Sequence, residues 1–119
     1  MRIYTHSKRI NHLVPEGHSE RPDRLTHLLA HLEQTGIARE LPYFEASPIS
    51  KERALLVHKS KHMEELDRLV PEQGLVPADP DTWVSPESKI AAELAAGAVL
   101  DATNSIMRGE DKRAFCAVR

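Results

Sequence analysis

The sequence has little to staple or anchor it. One cysteine, Cys116, in 119 residues excludes an internal disulfide, so stability has to come from burial rather than cross-links. No stretch has the length and purity of a bilayer-spanning helix, which takes about 20 apolar residues, and Met1–His6 carries no apolar run of the secretory type. Aromatic residues are 4% of the chain, too few for a platform that stacks bases. The formal net charge of -2 gives bulk electrostatics no means of drawing in a nucleic acid or an anionic membrane. The five glycines are scattered, so there is no phosphate-cradling loop, and no Gly-x-Ser-x-Gly elbow surrounds Ser60, Ser85 or Ser88. Repeats and low-complexity tracts are absent. These exclusions leave a single domain-sized soluble segment in a reducing, cytoplasmic setting, with Cys116 an inert apolar residue.

What is present is organised around Ser85–Arg119. Ser85-Pro86-Glu87 predicts a helix start, with a capping hydroxyl, a proline in the first turn and a carboxylate near the positive end of the dipole. From Lys89 to Met107 there is no proline and one glycine. Lys89, Glu93, Gly97, Asp101, Asn104 and Arg108 form one polar stripe, and most of the rest is Ala, Val, Leu and Ile. A helix apolar over so much of its girth needs protein on more than one side. Arg108–Asp111 is turn material. Ala114–Val118 has no alternation, which predicts a strand covered on both faces, as in a parallel sheet.

Upstream, Arg2–Thr5 predicts a short first strand and His6–Arg21 a polar loop. Leu25, Leu28, Leu29 and Leu32 recur at helical spacing, with Pro22 in the first turn, Gly36 at the end and Ile37 placed to cover the cap. Pro42–Ala46 predicts a second strand, and Ser47–Ser50 a turn and cap before a short helix over Lys51–Val57. Ser60 can cap a helix whose Met63, Leu66, Leu69 and Val70 share a face, stopped by Pro71. Gly74–Thr82, with Pro77 and Pro80, predicts a loop. The pattern is α/β, with a sheet of about three short strands.

Candidate chemistry is sparse. His27 and His31 share a helix face, but Leu28 stands where the zinc-protease pattern has Glu, so two solvent-facing histidines are expected. His6, His12 and His18 lie in one loop without a tight ligand pattern. His58 follows three apolar residues and is expected to be a partly buried structural histidine. Asp79 and Asp81 read as turn-forming carboxylates. The densest polar cluster is His18-Ser19-Glu20-Arg21-Pro22-Asp23-Arg24-Leu25, where Glu20 and Asp23 are favourable at a helix N-terminus whatever the function.

That cluster resembles the His-Pro-Glu-Arg-Pro-x-Arg-Leu signature of the histone deacetylase superfamily, which includes acetoin-utilisation proteins and acetylpolyamine amidohydrolases. Leu56-Val57-His58 is similar to its Leu-x-x-Val-His element, and Asp79-Pro80-Asp81-Thr82 with Ser85 and Ser88 to its Asp-x-Asp-Thr-x-x-Ser-x-x-Ser loop. Ala96-Gly97-Ala98 matches its Ala-Gly-Ala, and Ala114–Arg119 resembles the strand running into Arg-Pro-Pro-Gly-His-His-Ala. Ser19 departs from the usual proline, and His62 stands where an aromatic residue is common. The resemblance implies a partial three-layer α/β/α fold of the arginase-deacetylase type, with parallel strands in the order second, first, third.

It also implies zinc-dependent hydrolysis of an acetyl-lysine or acetylpolyamine amide by the full family domain. The family's zinc ligands, paired histidines and transition-state Tyr or His would all follow Arg119. The chain is therefore expected to be the N-terminal portion of such a domain, with no catalytic residue, metal ligand or cofactor of its own and no activity alone. Among residues present, Asp81 matches the rim carboxylate that binds substrate. Arg24 matches an arginine of the internal channel, with a buried guanidinium tying loop carbonyls together as an equal reading. His18, Glu20 and Arg21 belong to the same channel-side or structural cluster. The implied partner is the missing C-terminal part or a second copy of this chain, through the open edge of the last strand; no nucleic acid or membrane partner is implied. A free-standing self-associating module is the alternative.

Overall fold

The computed structural model describes residues 1–119. Three parallel strands, β1 (Arg2–Thr5), β2 (Tyr43–Glu45) and β5 (Ala114–Cys116), form a sheet in the order β2-β1-β5. This is the order the sequence led us to expect. Ile3 pairs with Tyr43 on one side and Phe115 on the other.

Successive residues of β1 serve opposite faces, as the two-residue period of a strand requires. Ile3 meets Leu25, Ala38 and Ala117 beneath helix α1 (Asp23–Gln34), whose Leu28, Leu29 and Leu32 pack against the same cluster. Tyr4 meets Ala46, Ala98 and Ala102 beneath helix α4 (Ser88–Met107). The result is three layers, helix on sheet on helix. After α1, Gly36 takes φ +77° and the Ala38 N–H reaches back to the Leu32 carbonyl at 3.1 Å. Ala38 takes the buried place at this cap, and Ile37, expected to cover it, stays exposed.

The polar stripe of α4 is where the chain crosses itself. Ser47–Ile49 lies on the helix at Gly97: the Ile49 N–H donates to the Glu93 carbonyl at 2.9 Å, and the Ser47 N–H donates to Asp101 Oδ2 at 3.0 Å. A Cβ built on Gly97 would stand 1.7 Å from the Ser47 carbonyl oxygen. Gly97 is present because a backbone occupies the space of a side chain.

Several expectations change. The segment around Pro77 and Pro80 is a hairpin, β3 (Val76–Asp79) with β4 (Thr82–Val84), rather than a loop. It is a free two-stranded ribbon, where proline is tolerated because an edge N–H has no obligatory partner. Helix α4 begins at Ser88, not at Ser85-Pro86-Glu87, and no side chain caps it. Ser85 is wholly buried and bonded elsewhere. Strand β5 is covered by α4 on one face only; on the other, Phe115 is exposed beside Met1, Ile37, Leu41 and Ile106. Helix α2 is shorter than expected (Lys51–Ala54), capped by Ser50, and Leu56, Val57 and His58 beyond it are exposed. His58 therefore stacks in solvent against His62, ring centres 5.2 Å apart, instead of filling a core position. Helix α3 (Ser60–Leu69) starts after Lys59 without a side-chain cap and buries none of its residues.

The turn after α4 collects charge. Arg2 Nη1 reaches Glu110 and Arg2 Nε reaches Asp111, both at 2.7 Å, and the N-terminal ammonium meets Asp111 at 2.8 Å. Gly109, at φ +75°, lets the chain turn between them.

Candidate functional site

Parallel strands place their following loops at one edge of the sheet, and ligands of open α/β sheets bind at that edge. Here it gathers the loop after β1, the hairpin that precedes α4, and Val118–Arg119 after β5.

Arg119 is the keystone. Its side chain is 3% exposed. Nη1 donates to the His12 carbonyl at 2.7 Å, Nη2 to the Glu20 carbonyl at 2.9 Å, and Nε to Glu20 Oε1 at 3.0 Å. One planar guanidinium thus gathers the part of the loop beyond the 3₁₀ turn Ser7–Asn11, which has no regular structure to satisfy its own carbonyls. The tying role weighed for Arg24 is carried by Arg119. Arg24 is 58% exposed and pairs with Glu20 Oε2, so Glu20 bridges the two arginines. Arg21 is exposed and approaches only Asp23, at 3.9 Å. Sequence reasoning missed Arg119 because an arginine closing an apolar run has no pattern; its partners lie about a hundred residues away.

A second network joins the same loop to the start of α4. The Leu13 N–H donates to Ser85 Oγ at 3.0 Å, the Ser85 N–H donates to Ser88 Oγ at 2.7 Å, and His12 Nδ1 stands 2.6 Å from Ser88 Oγ. Burial, reinforced by the Arg119 charge, pushes the His12 imidazolium down below its ordinary value, so His12 is neutral at pH 7. Ser85 and Ser88, read from sequence as cap and motif residues, are the pegs of this loop.

The hairpin turns at Pro80-Asp81. Asp79 Oδ1 accepts the Asp81 N–H at 2.9 Å, the side-chain turn expected of these residues. That bond and one from Thr82 hold the Asp79 carboxyl below its usual range. Asp81 is 95% exposed at the tip. His18 rises toward it from the loop below: Nδ1 accepts the Glu20 N–H at 3.1 Å, and Nε2, shielded from water and without a hydrogen bond, lies 3.3 Å from Asp81 Oδ1. Of the five residues singled out in sequence, His18 and Asp81 come together, and Glu20 and Arg24 come together.

Beside this edge, a cavity of about 450 Å³ separates α3 from the hairpin and α4. Met63 and Leu66 of α3 and Val70 just after it line this cavity together with Trp83, Val84, His12 and Arg119. Lys89–Asp67, at 2.6 Å, ties α3 to α4.

No three His, Cys, Asp or Glu side chains stand together as a metal site. His6 caps the short 3₁₀ turn Ser7–Asn11, His12 meets Ser88 and His18 faces Asp81, so the three loop histidines have separate partners. His27 and His31 point to solvent. The residues present do not supply the donors a zinc ion needs. Cys116 Sγ lies 3.5 Å from the Ala98 carbonyl, and burial pushes its thiol up, away from reactive thiolate.

Comparison with known proteins gives the setting of this edge. Residues 18–119 match the family model of the histone deacetylase domain. Histone deacetylase 15 of Arabidopsis thaliana is 37% identical over 107 residues, 87% of this chain and 19% of that protein. Histone deacetylase-like amidohydrolase of Pseudomonas aeruginosa is 29% identical over 103 residues, 87% of this chain and 27% of that protein. The crystal structure of the HDA15 HD domain superposes with a TM-score of 0.89 at 29% identity, over 100% of this chain and 36% of that one. The chain thus spans between about a fifth and just over a third of these relatives.

Proposed function

The chain belongs to the histone deacetylase family, and from that premise we propose that it is the N-terminal, substrate-rim part of a zinc-dependent deacetylase acting on an acetyl-lysine or acetylpolyamine amide. Three segments meeting at the carboxyl edge of the sheet carry the reading: the Arg119-ordered loop, the Ser85–Ser88 pegs and the Asp81 hairpin tip.

Asp81 is the group offered to substrate. A carboxylate at the rim accepts N–H bonds from a backbone or linker amide and orients the acyl group, a positioning effect that lowers KM and the entropy of reaching the transition state. Arg24, Glu20, Arg21 and His18 line the loop on the channel side or brace it. The metal that polarises an acyl oxygen and activates water in this family has to be held by other residues. These 119 residues therefore do not deacetylate by themselves. The setting we propose is cytoplasmic; no helix is long and apolar enough to cross a membrane.

The test is complementation. The purified chain with zinc is assayed for acetate release from an acetyl-lysine peptide and from acetylspermidine, alone and co-expressed with the C-terminal remainder of a family domain. Activity only in the second case is expected. Zinc-dependent turnover by the chain alone, or inactive but well-formed complexes, would overturn the reading.

A second reading follows from the open side of β5, where Phe115, Ile106, Ile37, Leu41 and Met1 surround a groove of about 500 Å³. An unpaired edge beside apolar side chains favours a partner, and in the absence of the C-terminal part a second copy of the chain is the occupant. Light scattering coupled to size-exclusion chromatography reads this: a monomer at high concentration rejects self-association.

A further inference from the structure

We propose that His18 is the positioning residue for Asp81, a latch that holds the hairpin tip and decides which carboxylate oxygen is offered. This deepens the reading of Asp81 as the substrate-facing carboxylate and rests on it.

The tip has little else to hold it. It is a two-residue turn on a two-stranded ribbon that belongs to no larger sheet. Its local restraints are the bonds that Asp79 accepts from the Asp81 N–H and from Thr82, which fix the turn and leave the Asp81 side chain free. His18 supplies the side-chain contact. With Nδ1 accepting the Glu20 N–H, the neutral ring has to carry its proton on Nε2. Nε2 is also the atom buried without a bond 3.3 Å from Asp81 Oδ1. A small rotation of a 95% exposed carboxylate completes an N–H···O bond there, which removes the cost of a buried, unpaired donor. Oδ1 is then engaged and Oδ2 faces outward, free for a ligand N–H.

The latch is built on rigid ground. Glu20, whose backbone sets the His18 tautomer, is the residue that Arg119 grips by both carbonyl and carboxylate. Order imposed at the end of β5 thus passes through Glu20 and His18 to a tip on a different element. The charged and titratable groups around His18 are Glu20 and His12 on its own loop, Asp81 on the hairpin, and Arg119 after β5. The arrangement belongs to the neutral ring, because only an unprotonated Nδ1 can accept the Glu20 N–H while Nε2–H faces Asp81.

The experiment is NMR of the ¹⁵N,¹³C-labelled chain at about pH 8, where the imidazole is neutral, following the imidazole nitrogens and the Asp81 carboxyl carbon. His18 should be the Nε2–H tautomer. His18→Ala should move the Asp81 carboxyl signal while leaving the Asp79 signal in place. Asp81→Asn, at an exposed tip where folding is not at stake, should shift the His18 Nε2 signal and leave the tautomer, which the Glu20 N–H sets, unchanged. An Nδ1–H tautomer, or an Asp81 carboxyl signal that His18→Ala leaves unmoved, would overturn the proposal. Neither readout involves substrate. A chain that passes both but gives no activity on complementation loses the functional reading and keeps the latch, and the reverse result does the opposite.

Discussion

Replacing Gly97 with alanine should destabilise this chain even though alanine is the better helix former. On propensity alone the change gains about 1 kcal/mol in a helix interior. The structure opposes it. The new methyl would lie 1.7 Å from the Ser47 carbonyl oxygen, 2.9 Å from the Ser47 carbonyl carbon and 3.0 Å from the Ile49 nitrogen, all backbone atoms. Ordinary carbon contacts begin near about 3.5 Å, so Ser47–Ile49 has to back away by more than an ångström. That movement breaks the bonds from Ile49 to Glu93 and from Ser47 to Asp101, each worth about 1 kcal/mol net. Overpacking adds about 1–3 kcal/mol. The net loss is about 2–4 kcal/mol, which for a chain of this size lowers Tm by roughly 10 °C. Thermal and urea melts by circular dichroism read it, with Ala96→Gly at the exposed neighbouring position as the control. Ala96→Gly should cost about 1 kcal/mol, so glycine is unfavourable at one position and required at the next. A Gly97→Ala chain as stable as the parent would refute the crossing of Ser47–Ile49 over α4.

Two further perturbations follow from the charge network. Hydrogen bonds from Arg108 and then Ser105 hold the Glu110 carboxyl at about 2, below its ordinary 4.5. A carboxyl depressed in the folded state contributes stability that is complete above its unfolded value and lost as pH falls through the folded one. The Glu110 contribution to Tm should therefore be constant above about pH 5 and be lost between 4.5 and 2, and Glu110→Gln should flatten part of the drop in that acid range; an unchanged acid slope in the variant refutes the assignment. At Arg119, substitution by Lys removes the planar fork that serves two carbonyls and a carboxylate at once. It should cost about 2–4 kcal/mol, nearly as much as Arg119→Ala, and should raise hydrogen exchange at Leu13 and Glu20; full retention of stability by Lys would show that charge alone suffices.

Periodicity revealed the elements that periodicity builds. The leucine spacing located α1, the proline-free apolar stretch located α4, and Arg108–Asp111 proved to be the turn its composition suggested. The β3–β4 hairpin was hidden because Pro77 and Pro80 mask a ribbon whose strands satisfy few ladder bonds. The polar stripe of α4 did not announce the crossing: Gly97 makes room for Ser47–Ile49 and Asp101 accepts the Ser47 N–H, but Glu93 takes part through its backbone carbonyl, which any residue there would offer. The cover of β5 could not be inferred from Ala114–Val118, because an apolar run does not say how far the neighbouring helix reaches. At the candidate site, Asp81, the His18 cluster, Ser85, Ser88 and Arg119 all fall in stretches visible through family likeness, but the roles of Arg119 and the Ser85–Ser88 pegs run through loop carbonyls and amides, which leave no trace in side-chain patterns.

The central position of β1 has a consequence for biogenesis. Its two neighbours are made long after it: Ile3 waits for Tyr43 and then for Phe115. At about 5–20 residues per second of synthesis, the second edge of β1 stays open for roughly 5–20 s. Until β5 emerges, the backbone groups along that edge are free to pair wrongly.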